Sequence, residues 1–169
     1  IDDLRKKTQH ELDSLSRLMI EENNFHSNIL QLVETKDLDL ADKLVDSAIQ
    51  SSAAKHILYT YKGMIYAARD RHPEAIELFN KSMSMSSEFP LVLVQRGESF
   101  LKLKDYDKAI ADFKKAADIN YDFDYQVGKA YEQMNLIDSA IVYYTKYLDH
   151  YPEKIKVKEH ISTLTSSKN

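Results

Sequence analysis

The chain contains six histidines, 27 acidic residues and no cysteine, so any chemistry it performs must come from imidazoles and carboxylates. A hydrolytic metal site needs His and carboxylate ligands converging on one face, as two His four apart on a helix do. His10, His26, His56, His72, His150 and His160 are scattered, and none forms such a pair. Acid–base catalysis needs two facing carboxylates held in contrasting environments, whereas the Asp and Glu here follow helix starts and solvated helix faces. No Gly-rich phosphate loop or nucleophile elbow is present, and a chain without cysteine has no thiolate. These residues predict no catalytic group, no cofactor and no metal, hence a protein that is not an enzyme.

The elements that carry these residues are predicted to be helices. Only 3 Gly and 3 Pro occur in 169 residues, too little turn punctuation for a many-stranded sheet. The formal charge of −4, with lysines and acids interspersed, gives no basic stripe to track a phosphate backbone, so nucleic acid is excluded as a partner. No apolar run reaches the roughly 18 residues of a membrane span. The start IDDLRKKTQHELDSL lacks the apolar core of a signal peptide. Ile1 in place of Met leads to the expectation of a processed or trimmed product. Localisation stays unassigned, leaning cytoplasmic with secreted or periplasmic open, because zero cysteines fit reducing and oxidising compartments alike.

Sliding the sequence against itself by 34 residues superposes KGMIYAARDRHPEAIELFNKSM (62–83) on RGESFLKLKDYDKAIADFKKAA (96–117). Gly63 falls on Gly97, Tyr66 on Phe100, Ala75 on Ala109, Phe79 on Phe113 and Ser82 on Ala116. A third copy carries Gly128, Tyr131, Ala140 and Tyr144, with Pro152 after it; its offset of 31 predicts a preceding turn three residues shorter. A degenerate copy over 22–55 keeps Ala41, Val45 and Ala48, with Ile29 and Leu32 replacing the glycine and the aromatic. Small residues beside large aromatics at fixed offsets predict two helices crossing closely. A mid-helix glycine costs about 1 kcal/mol relative to alanine, a loss that a close contact must offset. Asp39, Asp107 and Asp138 are predicted N-caps of the second helices, and Pro73 suits the first turn of its own.

This order of Gly, Tyr, Ala, Phe, Ala and Pro resembles the tetratricopeptide repeat family over residues 22–152. The resemblance implies an all-α superhelix of antiparallel helix pairs, divided here as 22–55 (degenerate), 56–89, 90–120 and 121–152. Tyr59 and Leu93 stand at the early bulky position. An amphipathic helix over 1–21, with Leu4, Leu12, Leu15 and Met19 as its stripe, precedes the repeats as a cap, a groove occupant or a pairing surface for a second chain. A capping helix over 153–165, carrying Ile155, Val157, Ile161 and Leu164, and a tail over 166–169 follow.

In this family the first helices line a concave groove. The resemblance places His26, Leu30, Val33, Ile57, Thr60, Met64, Ala67, Leu91, Val94, Glu98, Leu101, Tyr125, Lys129 and Glu132 on that face. The cationic clamp by which some members hold acidic chaperone tails is absent, because its positions hold Thr60, Tyr61, Met64, Leu91, Val94 and Gln95. A largely apolar groove suits an amphipathic helix or an extended apolar segment of another polypeptide; Leu91, Val94 and Leu101 could equally pack between helices, or lie under the helix over 1–21. Seven of the eleven tyrosines fall between 121 and 151, and Tyr143, Tyr147 and Tyr151 form an i, i+4, i+8 stripe. The stripe is either a second interaction surface or packing under the last helix. The function expected is a protein-binding module or adaptor. The alternatives are a self-associating structural oligomer and a sensory or scaffolding piece of a longer protein.

Overall fold

A computed structural model describes residues 24–51, 54–86 and 90–167. The helix expected over 1–21 and the last two residues of the expected tail lie outside them. Every described element is helical, and no strand occurs among the described residues. The chain divides into two compact units, Ile1–Ser52 and Ala53–Asn169. In the first, α1 (24–34) leads through a tight turn to α2 (Leu38–Ser51). Ile29, Ala41 and Val45 are fully buried there, so Val45 occupies the interior at the position where later copies carry a ring.

The second unit contains α3 (Lys55–Ala68), α4 (His72–Met85), α5 (Pro90–Lys102), α6 (Tyr106–Ala117), a 3-10 turn (Tyr121–Phe123), α7 (Asp124–Gln133), α8 (Ile137–His150) and α9 (Ile155–Ser166). Contact is most extensive within the pairs α3/α4, α5/α6 and α7/α8. Successive pairs meet through α4 against α5 and α6 against α7, and α9 rests on α8. Each pair closes around one ring. A Cβ on Gly97 would lie 2.8 Å from Phe113 Cε1, one on Gly128 would lie 2.7 Å from Tyr144 Cδ1, and one on Gly63 would enter the ring of Phe79. Phe79 and Phe113 are 0% exposed and Tyr144 1%, so each ring contributes roughly 1.5–3 kcal/mol through burial. That gain offsets the helix penalty of the glycine it covers.

One turn recurs in every pair. Lys36, Asp70, Lys104 and Asn135 have φ of 63°, 62°, 60° and 59°, the left-handed conformation that ends a helix in a Schellman motif. The following N–H closes the motif on the carbonyl five residues back: Asp37 to Leu32, Arg71 to Tyr66, Asp105 to Phe100 and Leu136 to Tyr131, each at 2.9 Å. The accepting residue is the one that is aromatic in the three later copies. Above the first of those rings, the Arg71 guanidinium sits 4.5 Å from the Tyr66 centroid.

Two sequence expectations are corrected. Asp39, Asp107 and Asp138 are not N-caps. They lie in the first turns of α2, α6 and α8, two residues past Asp37, Asp105 and Leu136, and favour those helices by facing the positive end of the macrodipole. Nor is the turn before the third pair shortened. α5 reaches Gly97 seven residues after its start and α7 reaches Gly128 four residues after its own, so the three missing residues come from the first turn of α7. The 3-10 turn takes that place, held by Asn120 Oδ1 accepting from the Asp122 N–H at 3.0 Å.

Gly97→Ala should lower the unfolding free energy by about 1–3 kcal/mol, because the added methyl overpacks a buried ring by more than the ~1 kcal/mol that alanine gains in helix propensity. Urea denaturation at unchanged m-value measures this. By the same method Lys104→Gly should gain about 0.5–1 kcal/mol, since it relieves a left-handed side chain that costs about 1–2 kcal/mol and gives part back as glycine entropy.

Candidate functional site

The glycine at each crossing fixes which positions of the first helices face inward. Counting from it, the position three residues before is Thr60, Val94 and Tyr125; the position one residue after is Met64, Glu98 and Lys129; the position six before is Ile57 in α3 and Leu91 in α5. Thr60 is 0% exposed and Val94 7%, so neither lines an open face as the sequence led us to expect. Thr60 Oγ1 lies 2.8 Å from Ser82 Oγ, and both hydroxyls reach the His56 carbonyl; one donates to the carbonyl and the other to its neighbour. Val94 is closed over by a core cluster that includes Phe113, Val127 and Ala130. The open positions are Glu98 and Lys129, which are exposed, and Ile57, Met64, Leu91 and Tyr125, which are half-buried. Met64 and Ala67 lean on the Ala75, Phe79 and Val92 cluster, and Leu101 on that of Val94. In the first unit Leu30 is 41% exposed, while His26 and Val33 are half-buried.

Glu132 is engaged within the fold. Its Oε2 accepts from the Tyr144 hydroxyl at 2.6 Å and lies 2.9 Å from His160 Nε2, which must carry the proton because an ionised carboxylate has none to donate. Burial works against the charged form, but the bonds from Tyr144 and His160 outweigh it and hold the carboxyl below the ordinary glutamate range. Burial, and then Glu132 itself, push the Tyr144 hydroxyl well up. These contacts tie α7, α8 and α9 together.

The tyrosine stripe is mostly absorbed by the fold as well. Tyr143 stacks on Tyr131 with centroids 5.5 Å apart, and Lys114 Nζ sits 5.5 Å from each ring. A hydrogen bond with Tyr131 leads the causes that raise Lys114. Tyr147 packs between Tyr125 (5.6 Å) and Tyr151 (4.9 Å), and Tyr151 bonds Asp122, lowering that carboxyl. The rings cover α7 and the 3-10 turn. It is Tyr144, outside the stripe, that meets α9 through His160 at 5.4 Å.

Sequence reading missed the polar strut of the second unit. Arg96 on α5 donates from Nε and Nη2 to the two oxygens of buried Asp112 on α6, at 2.7 and 2.6 Å, and from Nη1 to Asn80 Oδ1 on α4 at 2.5 Å. No repeat signal could have found it, because the equivalent positions 34 residues earlier hold Lys62 and Leu78. Among the described residues no cluster of three His, Asp or Glu could hold a metal, and no described helix is long and apolar enough to cross a membrane.

Residues 90–123 and 122–154 each match the tetratricopeptide repeat family. This stretch carries two tetratricopeptide repeats. The pair α3/α4, outside those two matches, shares the ring-filled crossing and the left-handed turn. Similar solved structures include MamA (20% identity, TM-score 0.69, 82% of each chain covered) and MamA from Desulfovibrio magneticus RS-1 (17%, 0.69, 85% of this chain and 83% of that one). A thermophilic TPR protein of Thermus thermophilus has 15% identity and a TM-score of 0.72, with 81% and 77% covered. At these identities the likeness establishes the all-α solenoid of antiparallel helix pairs. No curated protein sequence matches the chain. Its tetratricopeptide repeats are, in general terms, a protein-interaction scaffold.

The Glu132 junction makes a pH prediction. The folded pKa lies below the unfolded value of about 4.3, so the ionised group stabilises the fold above that pH, and the contribution is lost as pH falls through the folded value. Glu132→Gln should therefore show a shallower fall in Tm than wild type as pH drops from about 5 to about 3. Parallel acid limbs would contradict the assignment.

Proposed function

We propose that this repeat protein is a non-catalytic interaction module that takes a helix or extended segment of another polypeptide along the face of α3, α5 and α7. The observation that carries the reading is the composition of the positions left open by the crossings. Ile57, Met64 and Leu91 offer partly exposed apolar surface on α3 and α5. Glu98 and Lys129 project into solvent from α5 and α7. A segment with apolar side chains at one end and polar ones at the other fits this gradient. Burial at roughly 25 cal/mol per Å² would supply affinity, and the charges would set orientation.

The test is capture of partners by wild type and by an Ile57→Glu, Met64→Glu double variant, both shown to be folded by circular dichroism. Val94 is left intact, because a buried carboxylate there would unfold the pair rather than block a surface. The proposal expects the captured partner to drop at least about tenfold in the variant, a loss of about 1.4 kcal/mol. Light scattering of the same samples covers self-association: a mass that falls from oligomer to monomer in the variant would make a second copy the ligand. Identical partners and identical mass in both proteins would overturn the proposal.

A further inference from the structure

A cleft of about 520 Å³ opens between the C-terminal end of α6, the start of α7 and the C-terminal half of α8. None of the first-helix positions considered above lines it. Its floor holds Asp124, the first residue of α7, which is 8% exposed. No hydrogen bond or ion pair among the described residues engages this carboxylate. Its oxygens open into the cleft rather than being sealed from it, and in so enclosed a position an ionised acceptor gains more from an entering donor than it would in bulk water. Burial first, then Asp118 on the α6 side, raise the carboxyl, while Lys146 and His150 from α8 act the other way.

The walls narrow the class of donor. Asp118, Asp124 and Asp149 face two lysines, which leaves an excess of one negative charge. Both lysines lie against the aromatic face of Tyr143, Lys146 at 4.6 Å and Lys114 at 5.5 Å. Tyr121 is 57% exposed and stacks on His150 with centroids 4.1 Å apart and planes within 8°, which gives the cleft a flat aromatic wall. The acids and His150 do not form a metal-holding cluster. A planar organic cation matches this combination better than an ammonium, because a guanidinium stacks on rings, presents a fork of donors and is weakly hydrated.

We propose that this cleft binds the guanidinium of an arginine side chain from a partner polypeptide, with the plane of the cation against the Tyr121 and His150 stack and its donors on Asp124. The site is independent of the first-helix face, so variants of that face leave it intact.

The test is NMR titration of the whole chain with acetyl-Gly-Arg-Gly-amide, with the same peptide carrying neutral citrulline in place of arginine, and with free arginine. The expected result is that the arginine peptide shifts the resonances of Tyr121 and Tyr143 and lowers the apparent pKa of the Asp124 carboxyl. The citrulline peptide and free arginine should each bind at least tenfold more weakly. Asp124→Asn should weaken the arginine peptide at least tenfold. Tyr121→Ala, at an exposed position, should weaken it several-fold and serves if the asparagine variant does not fold. Absence of binding at millimolar peptide, equal binding of the citrulline peptide, or unchanged affinity in the variants would overturn the site. Equal binding of free arginine would overturn the assignment to a polypeptide.

Discussion

Three times in the second unit an aromatic ring lies where a Cβ would have to be, and two helices approach closely only because one residue of the first has none. The helix backbones over Gly63, Gly97 and Gly128 rest on Phe79, Phe113 and Tyr144. That contact sets the depth of each crossing, and the small Ala75, Ala109 and Ala140, all fully buried, complete it. Interiors pack at near-crystalline density, so the crossing tolerates little adjustment. The left-handed turns at Asp70, Lys104 and Asn135 reverse the chain at the same place in each pair, each closed on the carbonyl of Tyr66, Phe100 or Tyr131.

The crossing also influences which positions of the first helices solvent can reach. Three residues before the glycine, Thr60 and Val94 are sealed within the packed helices, while Tyr125 of the last pair stays half-buried. One residue after it, Glu98 and Lys129 reach solvent. Residues with a chemical handle are mostly spent on joining elements. Arg96 braces α4, α5 and α6, and Glu132 links α7 to α8 and α9. Asp124 joins no elements in this way and lies on the floor of a cleft.

The repeat was legible in the sequence because sterics wrote it there: only glycine fits under the ring, so glycine and aromatic recur at fixed offsets. The turns were not legible. Left-handed φ ordinarily advertises itself through Gly or Asn, but Lys, Asp and Lys fill three of the four positions. The aspartates near the helix starts signalled the starts correctly and the caps wrongly, because a carboxylate in the first turn is favoured by the macrodipole as it would be at the cap. Val94 lies in a cluster that its own pair and the following one build together, Phe113 with Val127 and Ala130, which the spacing within one repeat did not reveal. Arg96 and Asp112 have no counterparts in other copies, and spacing was silent about them.

Crossing register together with the helices of the neighbouring pair, rather than residue polarity, selects which of positions 60, 64, 94 and 98 are accessible. The native chain has no cysteine, so single substitutions can be labelled without background. Thiol labelling of Thr60→Cys, Val94→Cys, Met64→Cys and Glu98→Cys under native conditions tests the claim most directly. Rapid modification is expected at 64 and 98, with protection at 60 and 94 that is lifted only when denaturant opens the pair. Comparable native rates at all four positions would contradict it.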